Sequence, residues 1–405
     1  MNNYEERIID FLSRDINEKT VQARHDTFWQ ALRETGTALW LDTGDMEEAE
    51  ANWTAEMSAL TTNNTLLNNE IQKGIYDRFI EEAKNEVKNL PPDEIVKEIA
   101  FMLNARHGLR LASHFGGLVS VELHTDTAHD IEAIVKYGKR FYQINPRQFI
   151  VKVPYTAEGL IGARLLKNEG VRINFTLEFS ARQNVLVTAI ARPDYLNVFL
   201  GRIGAYIAQN NLGSGKWAGE MAVLSSQKWV TELSAFNPWP TKLIAASLRN
   251  HDQLELLAGT DVYTMPPKVA AAGRVNLSGK FVSRLGESYP VDMTDEGRAS
   301  GIEKFWQVPD SLVKLARNLN ENVPATGGEL AARVREEGFA DMFPPLTAEE
   351  EKQIAADGKI PLYSHWSKRL AEGSIAPDTL LNLAGLASFT ADQEMLDNRI
   401  KGIIG

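Results

Sequence analysis

Residues 149–175 read FIVKVPYTAEGLIGARLLKNEGVRINF, and this stretch decides the fold class. An apolar run at 149–153 predicts a buried strand, a helical pattern follows over 156–169, and a second apolar run lies at 171–175. A strand, a helix and a strand in this order are typical of a βαβ unit, whose two strands run parallel. The stretch therefore predicts an α/β fold with a parallel sheet.

The same alternation continues along the chain. Short apolar runs typical of strands lie at 37–41, 58–62, 118–123, 149–153, 171–175, 195–199, 242–246 and 260–264. Helical patterns separate most of them, for example at 127–143 and 250–258. Eight βα units close a barrel whose active site lies at the carboxyl ends of the strands. We therefore predict a (β/α)8 TIM barrel.

The remaining sequence predicts helices on both sides of this barrel. The predicted parts are an N-terminal helical extension (1–36), the barrel with the catalytic site (37–300) and a C-terminal helical segment packed on the barrel (301–405). Residues 1–35 have the pattern of helix, and residues 64–117 are long enough for two or three helices. Aromatic and other large apolar side chains between 303 and 375 include Phe305, Trp306, Phe339, Met342, Phe343, Tyr363 and Trp366. So much apolar surface predicts packing against the barrel or a partner subunit.

Composition excludes several classes of protein. The chain has 405 residues, a formal net charge of −11 and no cysteine. No basic face favours nucleic-acid binding, and no apolar run approaches the ~18 residues of a membrane span. Without cysteine there are no disulfides, thiolate nucleophiles or cysteine-bound metals. We expect a cytoplasmic protein that binds neither nucleic acid nor membrane, and the sequence leaves open whether it forms a homo-oligomer.

Lys152 is a charged residue within the apolar run 149–153. Side chains alternate along a strand, so Lys152 shares a face with Ile150. If that face points into the barrel, burial lowers the pKa of the amine and leaves a neutral nucleophile that can form an imine with a carbonyl. The alternative is a lysine on an exposed or edge strand, where it prevents aggregation. Taken alone, the run favours this alternative.

Sequence blocks around and beyond Lys152 carry a family resemblance. KVPYTAEG at 152–159, followed by INFTLEFSARQ at 173–183, is similar to the transaldolase signature, a lysine strand followed by N-x-T-L-x-F-S-x-x-Q. Further blocks in the family's order are LDTGD (41–45), TTNNT (61–65), VSVELHTDTAHDIEA (119–133), FLGRI (199–203), AASLRN (245–250), AGTDVYTMPP (258–267) and SFTADQEML (388–396). The resemblance implies a class I aldol enzyme, which works through a Schiff base and needs neither a metal nor an organic cofactor.

The resemblance also implies a catalytic set and a binding set. The catalytic set is Lys152 as the imine-forming amine, Asp42 as the base for the C4 hydroxyl, Glu122 and Thr156 as holders of a proton-relaying water, and Thr176. The substrate-binding set is Thr61, Asn63, Asn174, Asn197, Phe199, Arg202, Ser247 and Arg249. Within it, Arg202 and Arg249 suit a phosphate because their planar guanidinium groups bind its oxygens in pairs.

Three residues depart from the family's pattern. Asn64 replaces a proline, His124 replaces an aspartate, and Asn197 stands where a serine is expected. Residues 310–375 also have no counterpart in the shorter transaldolases. These differences affect the identity of the sugar more than the imine chemistry.

The implied function is transfer of a three-carbon dihydroxyacetone unit from a ketose, with a sugar phosphate favoured, to an aldose. The alternatives are a class I aldolase that releases free dihydroxyacetone, and an enzyme for a non-phosphate ketose such as a sulfonated one. The similar fructose 6-phosphate aldolase branch carries glutamine at the position of Glu122 and tyrosine at the position of Phe199, so this sequence favours transfer. A binding module without catalysis is disfavoured because the catalytic set is complete.

A metal-dependent lyase is a further alternative. Its candidate ligands are His124, Asp126, His129 and Asp130. The two histidines are five residues apart, which suits one helical face poorly. A polar loop that ends in a helix cap, Asp126 or Thr127, is the favoured interpretation. We therefore predict no metal site.

Overall fold

The computed structural model describes residues 3–16 and 20–405. The strands are β1 (Ala38–Asp42), β2 (Met57–Thr61), β3 (Leu118–Glu122), β4 (Phe149–Pro154), β5 (Ile173–Thr176), β6 (Tyr195–Phe199), β7 (Lys242–Ala246) and β8 (Val262–Met265). They pair in parallel and in chain order, and β8 pairs with β1 to close the barrel. Each predicted strand overlaps an observed one, with ends that differ by no more than two residues. The predicted (β/α)8 barrel is confirmed.

Helices surround the barrel and extend beyond it. They are α1 (Asn3–Ser13), α2 (Thr27–Arg33), α3 (Met46–Asn52), α4 (Asn64–Gln72), α5 (Asp77–Val87), α6 (Pro92–Phe115), α7 (Ile131–Ile144), α8 (Ala157–Asn168), α9 (Ala181–Ile190), α10 (Leu200–Gln209), α11 (Ala218–Ser234), α12 (Asp252–Leu256), α13 (Pro267–Asn276), α14 (Asp295–Ala299), α15 (Asp310–Glu321), α16 (Gly327–Glu336), α17 (Ala348–Asp357), α18 (Tyr363–Ala371) and α19 (Pro377–Ile404). Three of them occupy residues 64–117, as predicted. Within the described ranges, no helix is both long and apolar enough to cross a bilayer.

The barrel interior is filled by side chains from several strands. Trp40, Ala59, Ile150, Ile244, Ala246 and Val262 form this inner cluster. Lys152 lies two residues beyond Ile150 on β4 and therefore on the same inward face, near the carboxyl end of the strand. In register, Lys152 pairs with Glu122 on β3 and with Asn174 on β5. The barrel thus holds an amine and a carboxylate side by side on neighbouring strands.

The N-terminal region differs from the predicted helix over 1–35. Helix α1 ends at Ser13, and Asp15 adopts a left-handed backbone with φ 56°, a conformation that interrupts a helix. Residues 1, 2 and 17–19 of the prediction lie outside the described residues. Arg24 then forms an isolated β-bridge with Thr54, so the chain there is extended and α2 is a separate helix.

The C-terminal segment packs on the helices of the barrel. The Phe343 ring stacks on Tyr155 with centroids 5.4 Å apart. Phe305 is buried in the main core, and Trp366 is buried in a smaller cluster between α17, α18 and α19. Phe305 and Phe343 thus contact the rest of the chain, whereas Trp366 packs among the C-terminal helices. The division of the chain into three parts stays a prediction.

A buried ion network fastens this segment to the barrel. Arg182 on α9 donates to both carboxylate oxygens of Asp378 on α19, at 2.9 and 3.2 Å. A further nitrogen of Arg182 lies 3.0 Å from Oδ2 of Asp341. All three side chains are buried, so loss of the guanidinium leaves two carboxylates without their shared cation.

Replacing Arg182 with methionine is expected to lower the free energy of unfolding by about 3–5 kcal/mol, because a buried carboxylate without its partner is costly. Urea unfolding of purified protein measures this change. Arg333→Met is the matched control, because Arg333 pairs with Glu329 on an exposed face of α16 and should change stability by less than about 1 kcal/mol. Equal effects of the two substitutions would contradict a role for the buried network.

Candidate active site

A cavity opens at the carboxyl ends of the strands, the position expected for a site on this fold. Its lining residues are Asp42, Thr61, Asn63, Thr65, Leu66, Lys152, Asn197, Phe199, Arg202, Ala246, Ser247, Arg249, Thr264, Pro266, Lys359 and Phe389. The barrel thus brings together most of the predicted site residues, which are far apart in the sequence.

Lys152 lies at this cavity and is only 3% exposed. Its Nζ donates to the carbonyl oxygen of Thr62 at 2.9 Å and lies 3.7 Å from Oε2 of Glu122. The amine is buried yet borders the cavity, which is the arrangement that attack on a bound carbonyl requires.

Asp42 is a second charged group at the cavity, and its side chain is partly buried. Its Oδ1 accepts a hydrogen bond from Oγ1 of Thr61 at 2.8 Å. Burial raises the pKa of Asp42, while the Lys152 ammonium and the Thr61 hydroxyl act in the opposite direction. A carboxylate with a raised pKa is a stronger base than an exposed one, so Asp42 is suited to accept a proton.

Glu122 lies beside Lys152 on the neighbouring strand. Burial raises the pKa of Glu122, and the nearby Lys152 ammonium and the Asn64 backbone N–H partly oppose this shift. Oε2 of Glu122 and Oγ1 of Thr176 are both buried, and neither has a hydrogen-bond partner among the described residues. Two polar atoms are thus free to bind a small ligand or water near the amine.

Thr156, which the resemblance also gives to the catalytic set, has a different environment. Its Oγ1 donates to the carbonyl oxygen of Ala128 at 2.6 Å and accepts from the Gly159 N–H at 2.8 Å. Thr156 is therefore the N-cap of α8. Neither Thr156 nor Thr176 is among the residues that line the cavity, but the Thr156 hydroxyl is occupied by protein partners. The structure supports Thr176 better than Thr156 as a hydroxyl that binds water.

The asparagines of the binding set are largely occupied by protein partners. Asn174 donates to Oγ of Ser120 at 2.9 Å, and Asn197 donates to Oδ1 of Asn174 at 2.7 Å. Asn63 lines the cavity while its Oδ1 caps α4 by accepting the Leu66 N–H at 2.9 Å. The amide of Asn197 thus fixes the orientation of Asn174 behind the cavity.

Arg202 lines the cavity and is buried. The guanidinium lies between the rings of Phe199 and Phe389, 5.4 and 5.6 Å from their centroids. Burial, reinforced by the neighbouring Arg249, lowers the pKa of Arg202 to about 10. Its Nη1 is buried and has no hydrogen-bond partner in the described part of the chain, so this donor is available to an anionic group.

Ser247 and Arg249 follow β7 and border the same end of the cavity. Ser247 adopts a left-handed backbone with φ 65°, a strained conformation for a residue other than glycine. Gly201 permits the approach of Arg249, since a Cβ at Gly201 would lie 2.5 Å from the Nε atom of Arg249. The loop after β7 is thus held close to the start of α10.

Comparison with known proteins identifies the family. The family model described as Transaldolase/Fructose-6-phosphate aldolase matches residues 39–308. The chain belongs to this family. A probable transaldolase of Thermus thermophilus is 34% identical over 235 residues, which are 57% of this chain and 87% of that protein. A transaldolase of Prochlorococcus marinus subsp. pastoris is 27% identical over 247 residues, which are 57% of this chain and 72% of that protein.

The predicted resemblance to transaldolases is confirmed, and with it the prediction of an enzyme. A probable transaldolase of Agathobacter rectalis is also similar, with 33% identity over 179 residues, 44% of this chain and 70% of that protein. The match to the family ends at residue 308, although Lys359 and Phe389 line the cavity. Part of the site wall therefore comes from beyond the matched region.

Two departures from the family's pattern contact the same helix, α19. A proline at position 64 would have no N–H, whereas the Asn64 N–H binds Glu122. The Asn64 side chain also donates to Oε1 of Gln393 at 3.2 Å. Nε2 of His124 lies 3.2 Å from Oδ2 of Asp397. Asn64 and His124 therefore link the end of β3, where Glu122 lies, to α19.

The residues proposed for a metal site have separate partners. The observed pairs are His124 with Asp397, Asp126 with Lys97, and His129 with Glu158, and Asp130 accepts from the Ala133 N–H. Within residues 3–16 and 20–405, no three histidine, aspartate or glutamate side chains form a group able to hold a metal. The predicted helix cap, Asp126 or Thr127, is wrong, because α7 begins at Ile131 with Asp130 as its N-cap.

Several site residues were not predicted from the sequence. Oγ1 of Thr264 lies 2.5 Å from Oγ1 of Thr61, and the position of Thr264 at the end of the eighth predicted strand was a usable signal. Glu178 is fully buried, and burial raises its pKa well above the ordinary range. Lys359 reaches the cavity only through tertiary packing, and no local pattern in the sequence marks it. Phe389 lies in the family-like block 388–396, but that block did not indicate a contact with the cavity.

Proposed function

We propose that this enzyme transfers a dihydroxyacetone unit from a phosphorylated ketose to an aldose through an imine on Lys152. The observation that carries the proposal is the buried amine of Lys152 at the cavity, 3.7 Å from Glu122. The family model covers both transaldolases and fructose 6-phosphate aldolases, so imine chemistry fits either activity and the choice between them depends on the other site residues.

Imine formation is the first step. Lys152 gives a proton to Glu122, whose Oε2 lies 3.7 Å from Nζ, and the resulting amine adds to carbon C2 of the ketose. The carbinolamine oxygen leaves as water after it is protonated. Glu122 is placed to exchange these protons, and its raised pKa favours a carboxyl group that can both donate and accept them. The buried hydroxyl of Thr176 supports the binding of the water involved.

Cleavage of the C3–C4 bond follows. Asp42 takes the proton of the C4 hydroxyl, C4 becomes the carbonyl of the departing aldose, and the bonding electrons move into the imine to give an enamine on Lys152. The raised pKa of Asp42 makes it a suitable base. The enamine then attacks the carbonyl of an acceptor aldose, and Asp42 returns the proton to the new hydroxyl.

The other end of the cavity suits the phosphate of the sugar. Arg202 offers a buried donor without a partner, and Arg249 and Ser247 lie beside it. Guanidinium groups bind phosphate oxygens in pairs. An anion held there orients the sugar and brings its carbonyl towards Lys152, so binding at one end assists reaction at the other.

Phe199 favours transfer over release of free dihydroxyacetone. Its ring lines the cavity and carries no hydroxyl, so it cannot position a water that protonates the enamine. The enamine then persists until an aldehyde acceptor arrives. Glu122 can relay protons in both directions, which suits a reversible two-stage cycle.

The test is to compare turnover of a ketose phosphate donor alone with turnover in the presence of erythrose 4-phosphate or glyceraldehyde 3-phosphate. Transfer predicts at least about tenfold faster cleavage of the donor when acceptor is present, since only the acceptor removes the enamine efficiently. Coupled detection of the released aldose phosphate gives both rates. Rapid release of dihydroxyacetone without acceptor would instead support the aldolase activity.

Phe199→Tyr is expected to raise the share of free dihydroxyacetone, because its hydroxyl can position a water beside the enamine. Phe199→Leu is the control, as it removes the ring without adding a donor. If both variants and the wild type release the same share of free dihydroxyacetone, a residue other than Phe199 controls the water that protonates the enamine.

A further inference from the structure

The segment between the end of the family match and α19 contributes a cation to the active site. Residues 309–376 lie beyond the matched region and contain α15 to α18. In the loop between α17 and α18, Lys359 lines the same cavity as Arg202 and Arg249. Its side chain is 50% exposed, so it borders the mouth of the cavity.

The loop that carries Lys359 is fixed at both ends. It begins at Gly358, whose φ of 72° and ψ of −152° are accessible essentially to glycine alone. Asp357 accepts from the Leu362 N–H at 3.2 Å and from Nε1 of Trp366 at 2.9 Å. These contacts close the loop on itself and set the direction in which Lys359 leaves it.

The same loop is also fastened to the barrel. Asn210, at the end of α10, donates through Nδ2 to the Pro361 carbonyl at 3.0 Å and accepts the Tyr363 N–H through Oδ1 at 2.7 Å. Since α10 also carries Arg202, the arginine and the lysine are held on one connected framework. These hydrogen bonds therefore fix the backbone of the Lys359 loop relative to α10.

The charges at this end of the cavity favour a doubly charged ligand. Arg202, Arg249 and Lys359 supply three cations, and one carboxylate, Asp392, has its Oδ2 4.0 Å from Nζ of Lys359. Thr65 also binds Asp392. Asp42 and Lys152 line the same cavity with opposite charges. The formal charge of the lining residues together with Asp392 is thus +2, which matches a phosphate monoester in its dianionic form.

We propose that Lys359 is a specificity-determining residue that completes a three-cation subsite for the dianionic phosphate of the sugar substrate. The inference rests on the proposed function, because it assigns the anion of the same substrate. Lys359 binds the outer phosphate oxygens at the mouth, while Arg202 and Arg249 bind those that face the barrel.

The physical basis is the difference in charge between phosphate and sulfonate. A phosphate monoester carries about −2 above its second pKa of about 6, whereas a sulfonate carries a single charge. Coulomb energy scales with the product of the charges. A third cation therefore strengthens phosphate binding more than sulfonate binding, and it adds nothing for a neutral sugar.

The experiment measures KM and kcat at pH 8 for a ketose phosphate, its sulfonate analogue and the uncharged sugar, with inorganic phosphate as a competitive inhibitor. Lys359→Met should raise KM for the phosphate and the inhibition constant for inorganic phosphate about 3- to 5-fold, the upper range of a half-exposed ion pair. The change in kcat should be less than about twofold, and KM for the neutral sugar should stay unchanged. Lys359→Arg should restore phosphate binding, and Lys352→Met, at an exposed position on α17, should behave as wild type.

The proposal is overturned if Lys359→Met leaves KM for the phosphate unchanged, or if it raises KM for the neutral sugar equally. The dianion assignment is overturned if wild type and Lys359→Met show the same preference between phosphate and sulfonate. Borohydride trapping of dihydroxyacetone on Lys152 separates this outcome from failure of the proposed function, because that ligand has no anionic group. If dihydroxyacetone is trapped on Lys152 while Lys359→Met has no effect on KM, only the proposed phosphate subsite is refuted.

Discussion

Lys152→Met is expected to abolish turnover, with a loss in kcat on the order of 10⁴-fold or more, because no other group can replace a covalent nucleophile. Borohydride added with a ketose donor should attach a three-carbon unit to wild-type protein at Lys152 and leave the variant unmodified. Intact mass followed by peptide mapping measures the adduct. An adduct on another lysine would contradict the assignment.

The fold should survive this substitution. Methionine is close to lysine in length, and burying an ammonium costs free energy instead of stabilising the barrel. The substitution also removes the ammonium beside Glu122, but burial already raises the pKa of that carboxyl, so it can stay buried as the neutral acid. Urea unfolding should therefore give a stability close to that of wild type. Lys242→Met is the matched control, since Lys242 is an exposed lysine at the opposite, amino-terminal end of β7 and should retain both activity and adduct.

Asp42→Asn is expected to lower kcat about 10²- to 10³-fold, the usual contribution of a positioned general base. Imine formation does not require this carboxylate, so borohydride should trap the intact donor on Lys152 instead of a three-carbon fragment. Intact mass distinguishes the two adducts. A three-carbon adduct formed at the wild-type rate would show that another group removes the C4 proton.

The pH dependence of cleavage has a defined sign. Asp42 acts as a base only when ionised, and burial raises its pKa. Activity should therefore fall, as pH decreases, at a higher pH than for an ordinary aspartate, and the part of this acid limb that is due to Asp42 should disappear in Asp42→Asn. The pKa of Glu122 is raised as well, so the limb is shared between two interacting groups. Glu122→Gln separates them, because it should leave the Asp42 part of the limb intact.

The fold was readily predicted from the sequence because every barrel strand is buried on both faces. Such strands are continuous apolar runs, which is why 195–199 and 242–246 were predicted at their observed bounds. The two-residue alternation of β4 put Lys152 on the same face as Ile150, but only the structure shows that this face points into the barrel. Parallel strands in a closed barrel bring their carboxyl ends together, which agrees with the strand-end positions of several site residues that the family resemblance implied.

Other parts of the site depend on contacts that no local pattern encodes. Thr156 and Thr176 both follow or end a strand, but only hydrogen-bond partners show that the first caps α8 while the second keeps a free hydroxyl. Lys359 reaches the cavity because Asn210 binds its loop from the end of α10. Phe389 does so because α19 crosses the barrel mouth.

Helix α19 also has a consequence for biosynthesis. Strand β8, ending at Met265, is made long before Phe389, which covers Arg202, and before Gln393, which binds Asn64. At about 5–20 residues per second, on the order of ten seconds pass between completion of the barrel strands and synthesis of this helix. A nascent chain can thus hold a closed barrel whose sugar-binding mouth is unfinished. The active site is therefore expected to be completed only after α19 has been synthesised and has packed on the barrel.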